Sequence, residues 1–147
     1  MIQLADLDIL NLIDQLPRRT AYLQLREIEQ CDSATVHYNG GKTKIAQTVT
    51  AEIAHIRFIA DYHFNKIWGY SNGRPIYGHG IMYTHVIGAT GRIYQTRPLK
   101  HVLWHCGHAG GNFSSVPVHI PIGDNQRPTA AQWESACNLF EALAQYL

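Results

Sequence analysis

Residues 83–97 read YTHVIGATGRIYQTR, and this stretch decides the fold. β-Branched and aromatic residues stand on both sides of Gly88-Ala89-Thr90-Gly91, so 81–87 and 92–95 are predicted strands joined by a short turn, a β-hairpin. Outward toward the N-terminus, apolar residues recur at Ile53, Ile56, Ile59, Ala60, Phe64, Ile67 and Trp68, the spacing of an amphipathic helix. That helix is predicted over 50–68, with Thr50 as N-cap, Glu52 in its first turn and Gly69 as its stop. Between helix and hairpin, residues 70–80 hold glycines with Asn72 and Pro75 and read as a loop. Before the helix, 34–37 (ATVH) form a short buried strand whose last residue is His37, stopped by Asn39-Gly40-Gly41.

Toward the C-terminus, 116–122 alternates valine and isoleucine with Pro117 and Pro121, and prolines confine a strand to an edge. Thr129 stands three residues before Gln132, a capping box that opens a helix with Trp133, Ala136, Phe140, Leu143 and Leu147 as its inner stripe, still running at Leu147. Residues 1–32 are expected to be an N-terminal extension packed on a single 1–147 domain; Ile9, Leu12, Ile13 and Leu16 fit a helix or an extended segment ended by Pro17. Strands alternating with two helices give an α/β fold, a central mixed β-sheet flanked by helices.

Composition narrows the function. Twelve Lys and Arg against 11 Asp and Glu give a net charge of +1, too little to hold a phosphate backbone, so nucleic acid is not an expected partner. Hydrophobic residues at 46% and charged residues at 16% mark a folded chain. The N-terminus carries acids where a secretory signal needs positive charge, and no run reaches the roughly 20 apolar residues of a membrane span, so neither a signal peptide nor a membrane anchor is expected. Three cysteines without a CxxC pair read as free thiols. Nine histidines are many for 147 residues, and histidine is the common neutral metal ligand and general base.

TVHYNGG (35–41), MYTHVIGATGRIYQTR (82–97), WHCGHAGGN (104–112) and RPTAAQW (127–133), taken in order, resemble the zinc-dependent N-acetylmuramoyl-L-alanine amidases, which include phage lysozyme-type amidases and the peptidoglycan recognition proteins. The resemblance runs from about residue 33 to residue 147. It implies a peptidoglycan recognition protein-like fold, Zn2+ as cofactor and peptidoglycan or its muramyl peptide as partner. It places His37 as a zinc ligand at a strand end, Tyr83 as a catalytic hydrogen-bond donor to the scissile carbonyl, His105 in the groove near the metal, and Asn112 as a muramyl-peptide contact. Thr84 stands where the family usually has histidine; alternation along a strand puts His85 on the face of Tyr83, so His85 is a further substrate-binding candidate.

His105, Cys106 and His108 form an alternative metal cluster, whereas His55, His63 and His119 read as structural or solvent-facing. The family completes its zinc site with a His and a Cys beyond the last helix, and the sequence stops at Leu147, so that segment is expected to be absent and the site incomplete. An apolar face uncovered at that edge would promote association, making a homo-oligomer an expected state. A bacterial or phage origin and action on the cell wall follow from the resemblance, with the compartment left open.

Two functions therefore stand side by side. One is hydrolysis of the amide between N-acetylmuramic acid and L-alanine by a zinc-activated water, whose pKa the metal lowers toward roughly 7. The other is muropeptide binding without chemistry.

Overall fold

A computed structural model of the chain describes residues 2–21 and 23–147. In chain order the elements are β1 (Ile9–Asn11), β2 (Ser33–Asn39), α1 (Val49–Asn65), β3 (Ile67–Ser71), β4 (Arg74–Tyr77), β5 (His85–Ile87), β6 (Ile93–Gln95), α2 (Ala109–Ser114), β7 (Ser115–Gly123) and α3 (Ala130–Leu143). Five strands form one sheet in the order β1-β6-β5-β7-β2, and β3 pairs with β4 in a separate ribbon. Only β5 and β6 pair antiparallel within the large sheet; β1 with β6, β5 with β7 and β7 with β2 are parallel. This is the expected mixed sheet between helices. No described helix is long and apolar enough to cross a membrane.

The hairpin of β5 and β6 forms as its sequence predicts, with Val86 opposite Tyr94. Because successive side chains leave opposite faces, Val86 and Tyr94 pack with Ile56, Ile59 and Ala60 of α1, while Ile87 and Ile93 pack with Ala136, Leu139 and Leu143 of α3. Each such side chain taken fully from water contributes about 1.5–3 kcal/mol.

Two polar ties fix the helices to the hairpin turn. The carboxyl of Glu52, 3% exposed, accepts from the Thr90 amide at 2.7 Å, the Thr90 hydroxyl at 2.9 Å and the Tyr94 hydroxyl. A Cβ on Gly88 would lie 2.2–2.4 Å from that carboxyl, so only glycine lets α1 come this close. On the other side, the buried Gln132 closes the capping box with Thr129 and donates to the Ile87 carbonyl at 3.1 Å.

Several sequence expectations are corrected. Helix α1 is capped two residues earlier, with Thr48 rather than Thr50 accepting from an amide, that of Ala51, and it ends at Asn65 because Ile67 already belongs to β3. The segment read as a loop is largely this ribbon: Asn72 (φ 51°) and Gly73 (φ 73°) both take positive φ, the requirement of a two-residue hairpin turn.

The roles of edge and centre are exchanged. β7 lies between β5 and β2, and its prolines stand on either side of Val118 and His119, the two residues that pair with β5, so neither interrupts that short ladder. β2 is the edge strand, exposing Val36 and Tyr38. Trp133 is 62% exposed and lies outside the α3 stripe, which Ala136, Leu139 and Leu143 fill. The last helix ends at Leu143, short of Leu147.

Candidate functional site

His37 is not the last residue of its strand, since β2 runs on to Asn39 past a register shift; it is the Cα partner of His119 on β7, which brings two imidazoles onto neighbouring strands. Tyr83 stands just before β5 and stacks on His119, with ring centroids 4.3 Å apart and planes 6° from parallel. The same phenol ring lies 5.3 Å from His37 and 5.5 Å from His63, the latter donated by α1. Beside these rings opens a cavity of about 510 Å³ lined by His63, Trp68, Tyr83, Trp104, His105 and Asn112, among others.

The loop between Trp104 and α2 is held from within. Asn112 Oδ1 accepts the backbone N–H groups of His105 (2.9 Å) and Cys106 (3.0 Å). His105 faces His37, Nδ1 to Nε2 at 2.8 Å, and its Nε2 lies 3.0 Å from the Ser115 hydroxyl, which donates to the Gly111 carbonyl at 2.6 Å. A single residue, Asn112, thereby shapes the loop that presents His105, and it also lines the cavity.

Burial sets the charge state of the site. It pushes Tyr83 above the usual phenol range, so the hydroxyl keeps its proton, and among the described residues that hydroxyl has no hydrogen-bond partner. A protonated donor is thus free to serve whatever enters. Burial lowers His37, and lowers His63 to about 4, with Lys66 adding to the effect. His105 falls to about 4, through burial and then the nearby His37, and His119 to about 3, through burial and then its histidine neighbours. The site therefore presents neutral imidazoles around one phenol at neutral pH. His119 is 1% exposed, and among the described residues neither of its ring nitrogens makes a hydrogen bond of good geometry.

Of the residues singled out in the sequence, His37, Tyr83, His105 and Asn112 come together here. His85 does not. It is 1% exposed, shares the α3 side with Ile87, and its Nδ1 lies 3.2 Å from Thr84 Oγ1. The regular strand begins only at His85, so alternation counted from Tyr83 does not carry across Thr84. Conversely, His63 and His119, read as structural or solvent-facing, border the catalytic candidate, and Trp68 enters the cavity wall from the ribbon. The register of β2 against β7 is the signal that places His119 beside His37, and no local pattern carries it.

A catalytic zinc takes about three protein ligands. Among the described residues no group of three or more His, Cys, Asp or Glu is placed to hold a metal ion, and the nitrogen of His37 that points inward faces another imidazole. Cys106 and His108 do not converge with His105 on an ion: the thiol turns to Asn112, and His108 Nδ1 accepts the Gly111 amide as the cap of α2. The three-ligand zinc site implied by the resemblance is not built by these residues, and no catalytic step is drawn through it.

Comparison with known proteins bears on the family and the fold. A sequence profile of the family described as N-acetylmuramoyl-L-alanine amidase matches residues 27–147. No curated protein sequence matches significantly. Among solved structures, the ectodomain of the Drosophila transmembrane receptor PGRP-LCa superposes with a TM-score of 0.70 at 17% identity, covering 91% of this chain and 74% of that one. Bumblebee PGRP-SA gives 0.69 at 21% identity, with 90% and 72% covered. A Drosophila PGRP-LB mutant in complex with tracheal cytotoxin gives 0.71 at 19% identity, with 93% and 74% covered. These structures share the fold.

Proposed function

The chain belongs to the N-acetylmuramoyl-L-alanine amidase family, and from that premise we propose that its cavity binds the muramyl peptide of peptidoglycan around the amide joining N-acetylmuramic acid to L-alanine. The observation that carries this reading is Tyr83: a protonated phenol whose hydroxyl has no hydrogen-bond partner among the described residues, packed among His37, His63 and His119 at the wall of a 510 Å³ cavity. A half-buried donor held this way hydrogen-bonds a ligand carbonyl, and the bond strengthens as negative charge builds on that oxygen. Trp68 and Trp104 offer apolar faces to the ring carbons of a sugar or to a peptide stem, and Asn112 keeps its amide N–H groups for polar contacts while its oxygen holds the loop.

Hydrolysis of that amide is the second reading, favoured by family membership and by the same hydroxyl. It needs an activated water, which zinc supplies in the reading drawn from the resemblance. His37 alone of the implied ligands is at hand.

Calorimetric titration of a muramyl dipeptide and tripeptide with the purified chain, with and without EDTA, separates the two. Binding that persists in EDTA, with no new amine released, supports recognition alone; amine release that EDTA abolishes supports hydrolysis. Absence of both binding and release at millimolar ligand would overturn the proposal.

A further inference from the structure

Residues 17–21 and 23–26 lie as a strap against the segments at 78–80 and 100–102. Arg18 bridges Gly80 and Leu25 bridges His101, both antiparallel. The amides of Arg19, Arg26 and Val102 donate to the carbonyls of His79 (3.0 Å), Lys100 (2.9 Å) and Gln24 (3.0 Å). The seating is close: a Cβ on Gly80 would lie 2.4 Å from the Pro17 carbonyl oxygen and 2.9 Å from Arg97 Nη1. The strap also reaches the cavity, where Gln24 lines the wall with Val102 and Trp104, and the His79 ring packs on Trp104 with centroids 4.8 Å apart.

What the strap covers is basic. Arg97, His79 and His101 are 1%, 7% and 8% exposed. Arg97 donates to the His79 carbonyl at 2.6 Å, while its Nε and Nη2, like His101 Nδ1, are shut from solvent and make no hydrogen bond of good geometry among the described residues. Arg19 acts on His79, and Lys100 and Arg18 act on His101, as further positive neighbours. Among the described residues the only ion pair reaching this group joins Arg18 to Asp14 at 2.7 Å, and the Asp14 side chain is 87% exposed. A buried charge without a counter-charge is costly, and each cation added beside it costs more. Burial first, then Arg97, Lys100 and Arg18, hold His101 down to about 4; burial first, then Arg97 and Arg19, lower His79.

We propose that this segment is an acid-released strap: it stays closed over Arg97 while His79 and His101 are neutral, and their protonation lifts it and takes Gln24 out of the cavity wall. Once released, both imidazoles titrate near about 6.5. The open form therefore binds more protons than the closed one below that pH, so closure is fully favoured above it and is lost as the pH falls toward 4. His101 alone raises the opening constant about tenfold between pH 7.5 and 5.5, and His79 adds to it.

The inference does not depend on muropeptide binding, and its test needs no ligand. Hydrogen–deuterium exchange of the intact chain at pH 7.5, 6.5 and 5.5, corrected for the intrinsic rate, reads the opening of each segment. The Arg19, Arg26 and Val102 amides should exchange faster than those of β7 at every pH, and their protection should fall about tenfold or more across the range. Replacing both rings, His79→Gln with His101→Gln, should flatten that fall, whereas His85→Asn, a buried histidine on the α3 side, should leave it unchanged. Circular dichroism checks that each variant folds. If the double variant does not, an NMR titration of the unaltered chain decides: His101 should titrate well below 6.5, toward about 4, while the strap amides remain protected. The proposal is overturned if the strap amides open only together with β7, if their protection does not fall with pH, if the fall persists in the double variant, or if His101 titrates near 6.5 with the strap still closed.

Discussion

The two faces of the central sheet are built from the same strands and serve different ends. Toward α3 the contacts are apolar and close: Ile87, Val116, Val118, Ala136, Leu139 and Leu143 are each no more than 2% exposed. Toward α1 the apolar cluster of Ile56, Ile59 and Val86 gives way along the strands to Glu52 under the hairpin turn, and then to His119, Tyr83, His63 and the cavity. One face is held by shape. The other keeps polar groups dry, a cost that the shape-held face helps to offset.

The sharpest way to break that contrast is Leu139→Ala. Removing a wholly buried side chain costs about 2–5 kcal/mol, readable as a lowered urea midpoint, while muropeptide affinity per folded molecule should stay unchanged. Next comes Glu52→Ala, which removes the acceptor of the Thr90 amide, the Thr90 hydroxyl and the Tyr94 hydroxyl at once. Thr90 is exposed and its two groups can turn to water, so the loss should be that of the one buried donor, the Tyr94 hydroxyl, about 1–3 kcal/mol by denaturation, with Glu52→Gln intermediate because it keeps an acceptor. Equal stability of Glu52→Ala and the parent chain would show that this face does not rely on its buried polar tie.

Acid should expose the same difference more gently. His63, His85 and His101 are each lowered to about 4, in every case chiefly by burial, against about 6.5 in the unfolded chain. Between those values the unfolded chain binds more protons than the folded one, so stability is fully present above pH 6.5 and is lost as the pH falls toward 4. Urea midpoints at pH 7.5, 6.0 and 5.0 should decline in that order, and His85→Asn should flatten the decline. A flat profile would contradict the buried neutral histidines.

Smaller still is Tyr83→Phe. Its hydroxyl has no partner among the described residues, so stability should change by less than about 0.5 kcal/mol, while muropeptide affinity should fall roughly two- to tenfold, the net worth of one hydrogen bond. Smallest of all is Trp133→Ser, a change at a 62% exposed side chain that should stay within about 0.5 kcal/mol in a thermal melt.

What could be read in advance follows the reach of each interaction along the chain. The hairpin of β5 and β6 and the capping box at Thr129 depend on residues a few positions apart, and both were legible. A resemblance to known motifs named His37, Tyr83, His105 and Asn112, and the fold brings those four together. The Asn72-Gly73 turn was equally local and was hidden among neighbouring glycines that favoured a loop. The exchange of edge and centre between β2 and β7 had no local signal, since prolines report only that a strand lacks donors and say nothing of where its pairing partners stop. His119 and His63 were missed for the same reason: each reaches Tyr83 from another element.

The placement of β7 also orders events in time. His37 gains its neighbour His119, and His105 its anchor Ser115, only through a strand that occupies 115–123, far along the chain from β2. During synthesis β2 must wait, its edges unpaired, until those residues emerge, so assembly of the site is a late and non-local step. A ribosome-bound chain shorter than this carries His37 and Tyr83 without the strand that brings them together, and the cluster of rings forms only when β7 closes the sheet.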